Sequence, residues 1–300
     1  MSKAKLVRDI WAYLAAGEAG IYDALVVEPT NICDHNDCPY CYMSCKWGMG
    51  RSMTLQTAEA VAMALTELDI RPKEIRLAGG EPMMCPRLTG IIQTLSSRSD
   101  YFALITNGLL LSNPKRAQEV LANPLIKEVA VSLHSADRGI HNWMVGRRDI
   151  DDAAYDSSMS AVLALSAATR PLTVSINLNM NMSCDLSKLI GGVQRSGGRI
   201  DKVIFQLIDF EVGRAKTASE DGWLREFCRP TITVVSAYFA QAQRLLEDGD
   251  IKEAVLIDAL PNYIVEELDL NCGESFYQPA ATPAISVGGR FRPDVVRRYV

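Results

Sequence analysis

Two hydrophobic periods take turns along this chain. Short apolar runs with β-branched residues at 24–28, 74–78, 102–106, 128–133, 172–180 and 203–208 predict strands. Between them the spacing lengthens to that of a helix. At about 54–68, Leu55, Ala58, Val61, Ala62 and Leu65 share one face, and further helical stretches lie near 87–97, 151–168 and 185–195. Asn113-Pro114 opens another helix, because Asn caps a helix start and Pro is tolerated at its first position. Six β-α units in series predict a parallel sheet with helices outside and a site at the strands' C-terminal ends. With no seventh and eighth unit visible, the expected fold is α/β, a partial (β/α)6 TIM-like barrel with a small C-terminal appendage.

Strand five carries the clearest information about the inside. Val174, Ile176, Leu178 and Met180 alternate with Thr173, Ser175, Asn177, Asn179 and Asn181, so one face is apolar and the other polar. Strand four repeats this, with Ala130, Ser132 and His134 opposite Val129, Val131 and Leu133. A closed barrel fills its interior with aliphatic side chains. Inward polar faces instead imply a lumen holding a polar ligand, whereas an edge strand with its polar face in solvent would read the same way. The pattern lapses from about 210 to 229, and a helix follows at about 231–246. Beyond Gly249 come apolar stretches at 254–257 and 263–265, then Cys272-Gly273 and a Gly288-Gly289 turn signal between β-like segments. The expected domains are an N-terminal amphipathic helix at 1–21, the barrel at 22–248 and the appendage at 249–300.

Composition narrows the partners. The 31 basic and 36 acidic residues leave a net charge of -5, with no footprint for phosphate backbones or anionic lipid, so neither nucleic acid nor membrane is expected. No apolar run has the length of a membrane span, and the charged N-terminal stretch does not read as a secretory signal. Eight cysteines without an export signal suit a reducing cytoplasm and metal or redox use.

Cys33, Cys38, Cys41 and Cys45 fall within 13 residues, just after strand one. Thiolates on one loop suit three corners of a [4Fe–4S] cube, with Tyr40 shielding it from water and the fourth iron open to a ligand. A zinc site from Cys38, Cys41, Cys45 and either Cys33 or His35 is the competing reading.

These cysteines, followed by Gly79-Gly80-Glu81-Pro82, resemble the radical S-adenosylmethionine (radical SAM) superfamily over about residues 22–215. Thr106-Asn107-Gly108, Ser132-Leu133-His134-Ser135 and Gly213-Arg214-Ala215 follow in the family's usual order. The resemblance implies a [4Fe–4S] cluster on three cysteines, with SAM chelating the unique iron. The glycine-rich turn would meet the SAM amine, glycine allowing close backbone approach. Ser132, His134, Asn177 and Asn179 would reach its ribose or carboxylate. It also implies one-electron reduction by a donor such as flavodoxin or ferredoxin, and cleavage of SAM to a 5′-deoxyadenosyl radical that abstracts hydrogen. One departure stands out: four residues separate Cys33 from Cys38 where the family commonly has three. A triad of Cys38, Cys41 and Cys45 is the alternative, but only Cys33, Cys38 and Cys41 keep an aromatic just before the last ligand.

Within that resemblance, a small-molecule substrate, a sugar or nucleoside of natural-product biosynthesis undergoing epimerisation or dehydrogenation, is expected, with a peptide substrate as the alternative. The C-terminal stretch resembles the start of twitch and SPASM appendages, but Asp294 stands where a further cysteine would follow. Cys272, Cys184 and Cys228 are candidate hydrogen donors, and Cys85 reads as a buried small hydrophobe. His141 with Gly146-Arg147 marks a segment after strand four that often covers the family's active site. Trp47, Trp143 and Trp223 could line a pocket, and Arg290, Arg292, Arg297 and Arg298 could meet an acidic group.

Overall fold

The computed structural model describes residues 24–35, 37–45, 50–147, 153–179, 185–207, 231–256, 284–285 and 291–292. Seven strands carry the fold: β1 (Ala24–Thr30), β2 (Glu74–Gly79), β3 (Tyr101–Thr106), β4 (Ile126–Ser132), β5 (Thr173–Asn179), β6 (Lys202–Gln206) and β7 (Glu253–Leu256). The helices between them are α1 (Leu55–Glu67), α2 (Leu88–Leu95), α3 (Pro114–Leu121), α4 (Arg138–Met144), α5 (Ala154–Ser166), α6 (Leu186–Arg195) and α7 (Ile232–Glu247). Each pair of consecutive strands from β1 to β7 runs parallel, as crossover connections require. On the other side of β1 lies β8 (Ala284–Ile285), paired parallel to it and antiparallel to β9 (Phe291–Arg292). The order β7-β6-β5-β4-β3-β2-β1-β8-β9 makes an open sheet with β7 and β9 outermost.

Local sequence sets the helix starts. Thr54, Asn113, Asp137, Asp185 and Thr231 each turn a side-chain oxygen onto a backbone N–H of the first helical turn, satisfying donors that have no intrahelical partner. Every helix but α4 then lays an apolar stripe against the core on the outer face of the sheet. Ala161, Val162 and Leu165 of α5 join Val129, Val131, Val174, Ile176 and Leu178 in one buried core.

The seventh strand was not expected. Glu253–Leu256 begins the stretch read as an appendage, yet it pairs with β6 in register Lys202↔Glu253 to Phe205↔Leu256. Its four residues are too few to show a period, and its first, Glu253, stands before the apolar run and meets Lys202. Residues 1–21 lie outside the described part, as does most of the stretch after β7. The short strands β8 and β9 flank the Gly288-Gly289 signal.

β5 is an interior strand between β4 and β6, and Ser175, Asn177 and Asn179 are all buried. The edge-strand alternative is therefore excluded. The polar faces meet one another inside, and at the strands' N-terminal ends they pair by charge. Arg76 Nε donates to Glu74 Oε1 at 2.7 Å, and the Tyr101 hydroxyl donates to Glu74 Oε2 at 3.3 Å. Ser175 donates to Glu128 at 2.6 Å, while Lys202 stands 3.4 Å from both Glu128 and Glu253. These bonds make a charged floor. At the other end lie the side chains of Asn177 and Asn179, whose buried amide atoms include ones with no hydrogen-bond partner among the described residues.

Candidate functional site

The cysteine loop leaves β1 and returns to its own root. Asn31 N–H donates to the Arg51 carbonyl at 3.1 Å, Met53 N–H to the Pro29 carbonyl at 2.7 Å, and Arg51 N–H to Asn31 Oδ1 at 2.5 Å. The Thr30 hydroxyl bonds the Arg51 carbonyl and receives Ser52. Inside this ring, Cys41 N–H donates to the Cys38 carbonyl and Ser44 N–H to the Cys41 carbonyl, each at 3.2 Å. These tight turns set the last two thiols of the triad one turn apart.

Cys33, Cys38 and Cys41 are half-buried, whereas Cys45 is buried at 3% exposure. Burial, then Glu81, Cys38 and Asp34, push the Cys33 thiol well above its ordinary range. The Tyr40 hydroxyl is pushed up by burial and then by Cys38, Cys41 and Cys33, so it lies within electrostatic reach of all three. Cys45 turns its backbone N–H to Cys41 Sγ at 3.5 Å. Among the described residues, no three His, Cys, Asp or Glu side chains converge as ligands of a single ion would. A single zinc needs that convergence. A cube does not, because each thiolate binds its own iron and the sulfurs stand apart.

The Gly79-Gly80 turn packs on the exit of β1. Gly79 has φ +119°, and a Cβ on Gly80 would sit 2.2 Å from the Ile32 carbonyl oxygen. Gly80 N–H donates to the Thr30 carbonyl and Glu81 N–H to the Ile32 carbonyl, both at 2.8 Å. With these two N–H groups engaged, the polarity left for a cationic ligand is that of carbonyl oxygens. Pro82 begins a short 3-10 turn capped by Glu81. The Glu81 carboxylate accepts from Met83 N–H at 3.0 Å, and from the Thr106 hydroxyl and Asn107 N–H at 2.9 Å, locking the ends of β2 and β3 together. Burial, then Asp34, raise its pKa from an ordinary 4.5 to about 7 against those donors.

Ser132 and Asn177 stand in register at the ends of β4 and β5. Asn177 Oδ1 and both polar atoms of the Asn179 side chain are sealed from solvent and find no hydrogen-bond partner among the described residues. His134 follows β4 and is buried, and its Nε2 lies 2.5 Å from the Tyr40 hydroxyl. Burial, then His35, lower its pKa to about 3, so the ring is neutral at ordinary pH. All three histidines of the chain meet here: His141 stacks on His134 at 5.7 Å between centroids, and His35 is felt by both. His141 Nδ1 accepts from His134 N–H at 3.2 Å, which assigns its ring proton to Nε2.

Asp34 and Val145 escaped the sequence reading, and Arg147, read there as part of a covering segment, has partners that it did not reveal. Asp34 Oδ1 accepts from Asn107 Nδ2 at 2.6 Å, and its Oδ2 is buried without a partner among the described residues. Arg147 Nη2 donates to the Asp34 carbonyl at 3.0 Å, and Cys38 Sγ donates to the Val145 carbonyl at 3.3 Å. Asp34 sits inside the long interval of the cysteine loop, a signal that was available, whereas the reach of Val145 and Arg147 is visible only in three dimensions. Cys85 is buried in the core, as expected of a small hydrophobe. Cys184, Cys228, Cys272, Trp47, Trp223, Arg290, Arg297, Arg298 and the Gly213-Arg214-Ala215 segment lie outside the described residues, and Arg292 is described only as backbone in β9.

The sequence profile of the radical SAM superfamily matches residues 27–177. The GTP 3′,8-cyclase of Peptoclostridium acidaminophilum is 42% identical over 83 residues, 27% of this chain and 24% of that protein. GTP 3′,8-cyclase 2 of Pseudomonas aeruginosa is 32% identical over 111 residues, 36% of this chain and 32% of that protein. The chain thus matches no more than 32% of the length of either curated relative. Among solved structures, Streptococcus suis SuiB bound to S-adenosylmethionine shares the fold with a TM-score of 0.67, over 96% of this chain and 64% of that one, at 13% identity.

Proposed function

The chain belongs to the radical SAM superfamily, whose enzymes use a [4Fe–4S] cluster and S-adenosylmethionine, and we propose that Cys33, Cys38 and Cys41 are its cluster ligands. The ends of β2, β4 and β5 then hold SAM. When bound, these two groups supply a radical able to take hydrogen from an unactivated C–H bond. What this chain contributes is placement. Tyr40, fixed by His134, keeps water from the three thiols. Carbonyls of the Gly79-Gly80 turn face the SAM ammonium, and Asn177 and Asn179 offer amides to its polar groups.

The observation that carries this reading is the set of buried, unpartnered amide atoms of Asn177 and Asn179. Each such atom costs about 1–3 kcal/mol when left unsatisfied. A ligand that bonds them recovers that cost, and it would sit where the thiols, the glycine turn and the β4 end converge.

For the substrate we infer a small molecule of the sugar or nucleoside class, epimerised or dehydrogenated. The charged floor closes the lumen at the N-terminal ends of the strands, so a substrate enters at the mouth beside SAM. The two curated relatives are named for a nucleotide substrate, which agrees with this class. A peptide is the second reading: SuiB, which shares the fold over 96% of this chain, also has a structure bound to its precursor peptide SuiA. Cys272, with Cys184 and Cys228 behind it, is our candidate to return a hydrogen atom to the substrate. A flavodoxin or ferredoxin is the fitting reductant. Among the described residues no helix is long and apolar enough to cross a membrane, and a reducing cytoplasmic setting suits the free thiols of the loop.

Anaerobic reconstitution tests the core of the proposal. Brown protein with about four irons per chain that releases 5′-deoxyadenosine from SAM on reduction is expected. Cys33→Ser should lose iron and Cys45→Ser should keep it. Iron retained by Cys33→Ser but lost by Cys45→Ser would move the triad, and colourless protein with stoichiometric zinc would sink the reading. Deuterated SAM incubated with lysate small molecules or peptides then separates the two substrate classes by mass spectrometry.

A further inference from the structure

We propose that the turn after α4, residues 145–147, together with Asn107, is a clamp that holds Asp34 and Asp37, the two ends of the interval between Cys33 and Cys38, where the first two thiols need them before any cluster arrives. The inference rests on the reading of Cys33 and Cys38 as cluster ligands. It rests on the contacts that residues 145–147 and Asn107 make with Asp34 and Asp37, which are separate from the Cys38 Sγ bond to the Val145 carbonyl that a bound iron would replace.

Three contacts reach the interval from more than 70 residues away in sequence. Gly146 lies directly under it. Its φ of +78° is a left-handed conformation that side chains rarely adopt, and a Cβ there would stand 2.3 Å from the Asp37 carbonyl carbon, 2.4 Å from the Asp37 oxygen and 2.8 Å from Cys38 N. Arg147 Nη2 caps the Asp34 carbonyl at 3.0 Å, and Asn107 Nδ2 holds the Asp34 side chain at 2.6 Å. Asp34 Oδ1 also receives its neighbour's N–H, that of His35, at 3.1 Å, which fixes the start of the interval. The loop is thus gripped at its first residue past Cys33 and at its last residue before Cys38.

The clamp is itself held on two sides. Gly146 N–H closes on the Trp143 carbonyl at 3.0 Å, and Arg147 N–H closes on the Asn142 carbonyl at 2.7 Å, completing the end of α4. The His141 ring ties α4 to the end of β4, and Asn142 Oδ1 accepts from Tyr155 N–H at 3.0 Å, tying it to α5. A longer interval has more conformations to lose on binding a cluster. Fixing it beforehand removes that loss, which gives the extra residue between the first two thiols a physical counterpart elsewhere in the fold.

The test uses Gly146→Ala and Arg147→Met, with Arg147→Lys as the conservative control. In iron-free protein, alkylation of Cys33 and Cys38 followed by mass spectrometry should speed up about fivefold, the population change that one net hydrogen bond commands. Cys85, buried in the core, should react at the wild-type rate and so report that the fold is intact. After reconstitution both variants should hold less than about half of the cube's four irons, and Arg147→Lys should return toward wild type in both measurements. Wild-type alkylation rates at Cys33 and Cys38 in both variants would overturn the clamp, whatever their iron content. If Gly146→Ala does not fold, Arg147→Met decides alone. Wild-type protein that takes up no iron would defeat the ligand assignment instead, while the alkylation comparison would still judge the clamp.

Discussion

Glu81→Gln isolates one buried charge at the junction of β2 and β3. In the wild-type chain this carboxylate is 1% exposed and accepts three hydrogen bonds. Its folded pKa of about 7 stands above an ordinary 4.5. A raised carboxyl pKa means that the folded chain keeps its proton through a range where the unfolded chain has released it. Stability from this group is therefore full below about 4.5 and falls as pH rises toward 7. The interval from 4.5 to 7, at about 1.4 kcal/mol per pH unit, amounts to about 3 kcal/mol. Glutamine does not titrate, and its carbonyl can still serve Met83 and Thr106. Its amide NH2 faces the Asn107 N–H and loses that bond, a fixed offset of about 1–3 kcal/mol. The offset is constant in pH, whereas the charge contribution drifts. Urea unfolding of both iron-free proteins from about pH 5 to pH 8 should show the stability difference moving toward the Gln variant by about 3 kcal/mol. Parallel curves, or a drift toward wild type, would mean that Glu81 is ionised throughout, and the account of its burial would fail.

Two further perturbations probe the lumen. Asn179→Leu removes buried amide atoms that have no partner among the described residues, so the iron-free chain should gain about 1–2 kcal/mol in thermal unfolding while SAM binding by equilibrium dialysis falls at least about tenfold. A loss of stability would show that the amide is already bonded. Lys202→Met leaves Glu128 at the floor with the Ser175 bond and the more distant charge of Arg76; a cost of about 2–3 kcal/mol is expected in the same melts. A cost below about 1 kcal/mol would mean that water already solvates the floor.

The strands and their inner and outer faces were legible because a parallel barrel writes them locally. The alternation along 173–179 is repeated in the burial of Val174, Ile176 and Leu178 among the helices, and of Ser175, Asn177 and Asn179 inside. Elements too short to show a period were not legible. β7 has four residues, and α4 has seven with His141 and Asn142 among its buried positions. Pairings across the fold were also hidden. Tyr40 meets His134 at a separation of 94 residues, and Arg147 meets Asp34 at 113. Nothing in either segment names the other. The glycine turn was recognisable from its residue types, but its N–H groups proved to be engaged with Thr30 and Ile32, which only the register of β1 on β2 could reveal.

The ring that closes the cysteine loop at its root has a consequence for how such a chain can change. Thr30, Asn31, Arg51, Ser52 and Met53 join the two ends of the excursion to each other. The loop that carries Cys33, Cys38 and Cys41 is therefore a cassette anchored at its two ends in a fixed socket. A residue gained inside it does not propagate into the pairing of Ala24 with Glu74 or Val27 with Leu77. Spacing between thiols can then vary by insertion while the barrel stays still, provided that the surface facing the cassette changes to fit. Here that surface carries a glycine at 146.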